Sequence, residues 1–158
     1  MNVLIAYASK SGTTEKCAKI LKAHVENSVL CDLTREKPDL RDYSCIIVGG
    51  SIRMGNLHKA AKDFILRNKA VLMRKKCAFF LCNCFSSRTD AFLEQNIPEE
   101  LLKKSIASGS FGGELNADRQ KGLDRIITKL VSKKSRGDKT LKLQTSSEAI
   151  HKFAEKIK

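Results

Sequence analysis

Asn2-Val3-Leu4-Ile5-Ala6-Tyr7-Ala8-Ser9-Lys10-Ser11-Gly12-Thr13-Thr14 opens as an apolar run without polar alternation and changes character abruptly at Ser9. A strand with no solvent-facing side belongs inside a parallel sheet, where helices cover both faces. Small and polar residues then turn the chain, and a helical pattern follows. Backbone N–H groups at a helix start have no acceptor four residues back, and the helix dipole favours an anion there. Ser and Thr hydroxyls add donors, and Gly12 lets the backbone approach closely. The simpler reading is a strand-to-helix turn capped by Thr13 or Thr14. Four hydroxyls around one glycine, directly after the first buried strand, favour a phosphate cradle made of Ser9, Lys10, Ser11, Gly12, Thr13 and Thr14.

The chain of 158 residues, 42% hydrophobic with two Pro, suits one domain over 1–158 with a substantial core. No run is long and apolar enough to span a membrane. The first residues read as a strand rather than as a secretion signal, so the cytoplasm is the expected compartment. Six cysteines lie mostly within apolar patterns and read as buried free thiols. Cys82-x-Cys84 is their one close pair, and its spacing is poor for zinc; no metal is expected. The net charge of +13 calls for an anionic partner: nucleic acid, an acidic protein or a membrane surface.

Downstream, strands and helices alternate. Glu15 to Glu26 has an apolar stripe at Cys17, Ile20, Leu21 and Val25. Ser28 to Leu33 reads as the second strand and Ser44 to Gly50 as the third. A loop at Ser51-Ile52-Arg53-Met54-Gly55-Asn56 precedes a helix over Leu57 to Lys69. Lys76 to Cys82 reads as the fourth strand, followed by a loop from Asn83 to Arg88. A helical stretch from Thr89 to Lys104 is interrupted near Pro98. Ser105 to Phe111 is a weaker fifth strand ending at Gly112-Gly113. Leu123, Ile126, Ile127, Leu130 and Val131 mark a further amphipathic helix, and Ser146 or Ser147 caps the last one. Such alternation specifies a doubly wound parallel sheet with right-handed crossovers. Its ligand belongs at the carboxyl ends of the strands, where the loops at 9–14, 51–56 and 83–88 converge.

Other phosphate motifs fail on inspection. A P-loop needs Lys and Ser/Thr after its last glycine, but Thr13 follows Gly12 and Lys10 precedes it. The first turn lacks G-x-G-x-x-G, and the acidic residues of a phosphoacceptor domain are missing after strands one and three. The cradle instead resembles the phosphate loop of flavodoxins, which bind FMN at the switch point of a five-stranded sheet of order 2-1-3-4-5. Gly50-Ser51-Ile52-Arg53-Met54-Gly55-Asn56-Leu57-His58 resembles, more specifically, the flavodoxin-domain subgroup that includes menaquinone-dependent protoporphyrinogen dehydrogenase. That subgroup also carries an extra segment before its last helix, as Glu114 to Ser146 does here, with its own inserted helix.

The resemblance implies non-covalent FMN. Ser9 to Thr14 would hold the phosphate. Ser51, Ile52, Arg53, Met54, Gly55 and Asn56 would border the isoalloxazine. Asn83, Cys84, Phe85, Ser86 and Ser87 would run along its other side, with Gly112 and Gly113 letting the fifth strand's end approach the ring. There are departures from the family. No Trp is present, the second loop lacks an aromatic, Phe85 is the sole candidate in the third, and the chain is basic where flavodoxins are usually acidic.

Two residues are candidates for the chemistry. Arg53 either points to solvent or favours reduced flavin by Coulomb attraction. His58 either caps a helix or donates a proton to reduced flavin or substrate. Residues 119–142 carry nine Lys or Arg against two Asp. That segment suits docking of its apolar stripe on the sheet, a peripheral contact with an anionic membrane, or an acidic protein. The expected function is an FMN oxidoreductase exchanging electrons with a quinone-like or porphyrinogen-like small molecule. The alternative is a non-catalytic electron carrier for an acidic redox partner. The intact cradle argues against nucleic-acid binding.

Overall fold

A computed structural model describes residues 1–113 and 145–158. Strand β1, Val3–Ala8, is buried at every position and lies inside the sheet, with a strand on each side. It pairs in parallel with β2, Ser28–Asp32, on one side and β3, Cys45–Arg53, on the other, so that Val3 faces Ser28 and Cys45. Beyond β3 lie β5, Lys76–Cys82, and β6, Ala107–Ser110, again parallel. Two residues, Asn56–Leu57, form a short antiparallel β4 against the end of β3. The main order is β2-β1-β3-β5-β6, which is 2-1-3-4-5 once the small β4 is left out of the numbering. The expected flavodoxin-like sheet is therefore the observed one.

Side chains of β1 alternate between two cores, because successive strand residues point to opposite faces. Val3, Ile5 and Tyr7 pack with Cys17 and Leu21 of α1, Thr13–His24, and with Ile150 and Phe153 of α6, Ser147–Glu155. Leu4, Ala6 and Ala8 face the other layer: α2 (Lys59–Arg67), α3 (Lys69–Arg74), α4 (Thr89–Asn96) and α5 (Glu99–Lys104). Each fully buried Leu, Ile or Phe there contributes about 1.5–3 kcal/mol. Phe80 stacks on Phe111 at 4.6 Å between centroids, and Phe153 meets Phe111 edge-on at 5.1 Å. Ser146 Oγ accepts the Ala149 N–H at 3.1 Å and caps α6, as its hydroxyl suggests.

Two expectations are corrected. The single helix over 57–69 is replaced by α2 and α3, separated at Asn68. The Asn68 backbone N–H and Nδ2 both donate to Phe64 O, at 3.0 and 2.9 Å, closing α2 with a side chain that competes for helix carbonyls. Lys104 Nζ then donates to Leu72 O at 3.0 Å and Lys75 O at 2.6 Å, satisfying the exposed end of α3 with a cation. The second correction concerns 51–56, which is no open loop. β3 continues to Arg53 and returns through Met54 (φ 53°) and Gly55 (φ 78°). A two-residue turn with both φ values positive matches the right-handed strand twist, the type I′ geometry.

The inserted helix expected at 123–131 and the basic segment 119–142 lie outside the described residues. Gly112 and Thr145 pair as an antiparallel bridge, so the chain after β6 and the chain before α6 are neighbours. Among the described residues, no helix is long and apolar enough to cross a membrane.

Candidate functional site at the carboxyl edge of the sheet

In a parallel sheet every strand delivers its following residues to the same edge. The sheet order therefore sets 9–14, 51–56, 83–87 and 112–113 side by side in that sequence. The switch point lies between the ends of β1 and β3, because the connection leaving β1 runs to β2 over one face and the connection leaving β3 runs to β5 over the other.

Gly12 (φ 93°) is the N-cap of α1, and Ser9 Oγ accepts its N–H at 3.0 Å. This corrects the reading of Thr13 or Thr14 as the cap. Both threonines lie inside the first turn, where backbone N–H groups have no i−4 acceptor. Thr13 and Thr14 are buried, and Lys10 is exposed at the rim. Ser11 is half-buried between them. The helix start thus combines first-turn N–H groups with four nearby hydroxyls, a set that suits a dianion.

Orphaned polar atoms mark the same edge. Thr14 Oγ1, Ser51 Oγ and Asn83 Oδ1 are buried and lack a hydrogen-bond partner among the described residues. Thr14 Oγ1 lies towards the Cys82 thiol, a weak donor, without good hydrogen-bond geometry. Asn83 is 3% exposed, and its Nδ2 donates to Phe85 O at 2.8 Å, which fixes Oδ1 as the end left over. A buried polar group without a partner costs about 1–3 kcal/mol, so three of them at the ends of adjacent strands call for a ligand. The group that completes them carries an anion for the helix start and hydroxyl or N–H groups for the oxygens. A flavin mononucleotide, with its phosphate, ribityl hydroxyls and ring N–H, has this set.

The third loop is held close by the end of β6. A Cβ placed on Gly113 would stand 2.9 Å from Cys84 Sγ and 3.1 Å from the Asn83 carbonyl carbon. Gly113 therefore admits residues 83–84, and Gly112 (φ 81°) turns the chain with its N–H on Ser110 Oγ at 3.1 Å. Cys84, Phe85 and Ser86 are half-buried, while Ser87 is exposed in a single 3₁₀ turn, Ser86–Arg88.

His58 acts as a cap. Its Nδ1 accepts the Ala60 N–H at 3.1 Å, and its own N–H donates to Ser51 O at 2.9 Å. Burial pushes its pKa down, with Lys10 and Arg53 repelling the charged form further. The imidazole is therefore neutral at physiological pH, with Nδ1 committed to the cap of α2. Arg53 is half-buried, and its charge acts on both His58 and the Cys84 thiol, which places it where the second and third stretches meet. Burial pushes the Cys84 thiol up, Arg53 opposing. Ile52 and Gly55 are half-buried, and Met54 at the hairpin tip is 77% exposed. Among the described residues no set of three His, Cys, Asp or Glu side chains gathers as a metal site.

Asn96 was not legible as part of this region. It lies on α4, is 3% exposed, and its Oδ1 accepts the Leu57 N–H at 2.9 Å. A lone Asn on an otherwise ordinary helix carries no sequence cue for a contact roughly 40 residues away.

Comparisons with known proteins agree with this geometry. A family profile described as "Flavodoxin domain" matches residues 4–142. A protein of Escherichia coli strain K12 named protoporphyrinogen IX dehydrogenase (quinone) is 24% identical over 173 aligned residues, spanning 99% of this chain and 94% of that one. Rubredoxin:oxygen oxidoreductase of Desulfovibrio gigas superposes with a TM-score of 0.56 at 15% identity, over 99% of this chain and 37% of its own. This chain thus spans little more than a third of that larger protein. Oxidised flavodoxin 1 of Bacillus cereus superposes with a TM-score of 0.53 at 18% identity, over 87% of this chain and 99% of its own.

Proposed function

The chain belongs to the flavodoxin-domain family, and from that premise we propose that it binds FMN and works as an oxidoreductase on a quinone-like or porphyrinogen-like small molecule. The observation that carries this reading is the convergence of Thr14 Oγ1, Ser51 Oγ and Asn83 Oδ1, buried and unsatisfied, beside the glycine-capped start of α1. FMN supplies the one- and two-electron chemistry when bound. Ser9, Ser11 and Thr13 hold the phosphate, together with the first-turn N–H groups and Thr14 Oγ1. Lys10 at the rim offsets part of its charge. Residues 51–56 and 83–87 flank the ring, and Ser51 and Asn83 give their orphaned oxygens to its donors or to the ribityl hydroxyls.

The substrate class is supported by the E. coli relative's name and by the hairpin tip, where the exposed residue is Met54 and not an aromatic. A flavin edge without an aromatic cover leaves room for a flat apolar substrate. The net charge of +13 favours a second reading, an electron carrier for an acidic redox protein, with peripheral membrane contact through 119–142 as a further use of that charge. Steady-state assays separate the two. Turnover of reduced flavoprotein with quinones, or of protoporphyrinogen IX with a quinone acceptor, supports the enzyme. Transfer only between proteins, weakening steeply with salt, supports the carrier.

A further inference from the structure

We propose that Asn96 is a positioning residue for the edge of the flavin site: it clips the 53–56 hairpin in place and so holds the Arg53 side chain where the second and third stretches meet. This rests on the FMN reading above and adds a residue, on a helix outside the four strand-end stretches, that sets the flavin's redox balance.

The clip uses the whole amide. Asn96 Oδ1 accepts from Leu57 N–H at 2.9 Å, while Nδ2 donates to Gly55 O at 2.8 Å and to Phe92 O at 2.9 Å. One bond is made to the turn and one to the returning strand, and the third, to Phe92 O, fixes the amide on its own helix. The hairpin to which the amide adds is short, and its base is closed by His58 N–H on Ser51 O at 2.9 Å and by the buried Leu57 side chain. Its return strand is two residues long, with Ile52↔Leu57 and Arg53↔Asn56 as its pairs, and isolated hairpins are marginal in water. Its turn also places Met54, a non-glycine residue, at φ 53°. α4 supports it from below, with Phe92 Cε1 and Gln95 Oε1 both 3.7 Å from where a Cβ on Gly55 would stand.

Neither Asp nor Leu can substitute for this amide. Two of the three partners are carbonyl oxygens, which need donors, and the third is an N–H, which needs an acceptor. The consequence for the site runs through Arg53, which occupies the last residue of β3 and pairs across the turn with Asn56. A cation fixed at the ring's edge favours the reduced flavin, the more negative form at neutral pH, over the oxidised one. A hairpin freed from Asn96 lets that cation move, and the preference weakens.

The test compares Asn96→Leu, Asn96→Asp, Arg53→Gln and the Asn96→Leu/Arg53→Gln double variant. Three quantities are measured: affinity for oxidised FMN, the ratio of affinities for reduced and oxidised FMN from midpoint potentials, and hydrogen exchange at the Leu57 amide of the FMN-free protein. Each single variant should lower the ratio by about fivefold or more, the worth of one charge interaction screened as in bulk water at about 4 Å. The double variant should lower it no further than the larger single, since both act through one guanidinium. Leu57 exchange should quicken in Asn96→Leu, which removes the acceptor of its N–H, and not in Arg53→Gln. An unchanged ratio in a folded, FMN-loaded Asn96 variant, or fully additive effects, overturns the proposal. Should Asn96→Leu not fold, Asn96→Asp, which keeps the acceptor and loses both donors, carries the comparison. If the wild-type protein takes up no FMN, the cofactor reading itself is what fails and the proposal falls with it; FMN uptake with an unmoved ratio sinks the Asn96 proposal alone.

Discussion

Replacing Thr14 by valine should stabilise the FMN-free protein and weaken its hold on FMN. Thr14 is 0% exposed, and valine has nearly its shape and a similar helix propensity, so the exchange puts a methyl where Oγ1 sits. That oxygen has no good partner among the described residues. A buried, unsatisfied hydroxyl costs about 1–3 kcal/mol, and the nearby Cys82 thiol points to the lower end of that range. A gain of about 1 kcal/mol should raise the melting temperature by about 2–4 °C for a chain of this size. The bound state moves the other way. A hydrogen bond to a charged phosphate oxygen is worth about 1.5–3 kcal/mol, so affinity should fall by about ten- to a hundredfold. Thermal melts of the apoprotein and fluorescence titration with FMN give both numbers on the same two samples. A valine variant that melts lower and binds FMN as tightly as the parent would show that the hydroxyl serves the fold, and the reasoning from orphaned atoms would be refuted.

Two further outcomes follow from the site's geometry. His58 lies below its ordinary pKa of 6.5, through burial first and then repulsion by Lys10 and Arg53. The unfolded chain therefore takes up the proton first as pH falls, so the contribution of His58 to stability is complete above about 6.5 and is lost progressively below it. His58→Asn should keep a cap on α2 and flatten this decline, read from melting temperatures between about pH 5 and 8. Gly113→Ala adds a carbon 2.9 Å from Cys84 Sγ and 3.1 Å from the Asn83 carbonyl carbon, which should cost about 1–3 kcal/mol and displace the third stretch, lowering FMN affinity as well as melting temperature. Gly109→Ala, with nothing within 4 Å of its added carbon, should leave FMN affinity unchanged in the same titration.

What could be read from the sequence was local, and what could not was long-range or rested on an unusual residue choice. β1 announced itself by six apolar residues in a row, and the cradle by hydroxyls clustered about Gly12. Together they were enough to place the switch point. The split of one expected helix into α2 and α3 turns on Asn68, whose competing hydrogen bonds to Phe64 O are weak cues beside a continuing apolar stripe. The hairpin at 53–56 was missed because its first turn residue is Met54 and not the Asn or Asp that usually signals positive φ. His58 carried both readings in the sequence, and the 3.1 Å bond to Ala60 N–H, which shows that it caps α2, joins it to a backbone group no local pattern marks. Asn96 and Gly113 act on chain distant in sequence or on a neighbouring loop, through contacts that no local pattern encodes.

The central claim is that the start of α1 and the oxygens around it receive the phosphate of FMN. Isothermal titration of the apoprotein with FMN and with riboflavin isolates that group, since the two ligands differ by the phosphate alone. One-to-one binding of FMN, with riboflavin weaker by about a hundredfold or more, is the expected result, the phosphate accepting several charge-assisted hydrogen bonds. Equal affinities for the two ligands, or no heat with FMN at all, would contradict it.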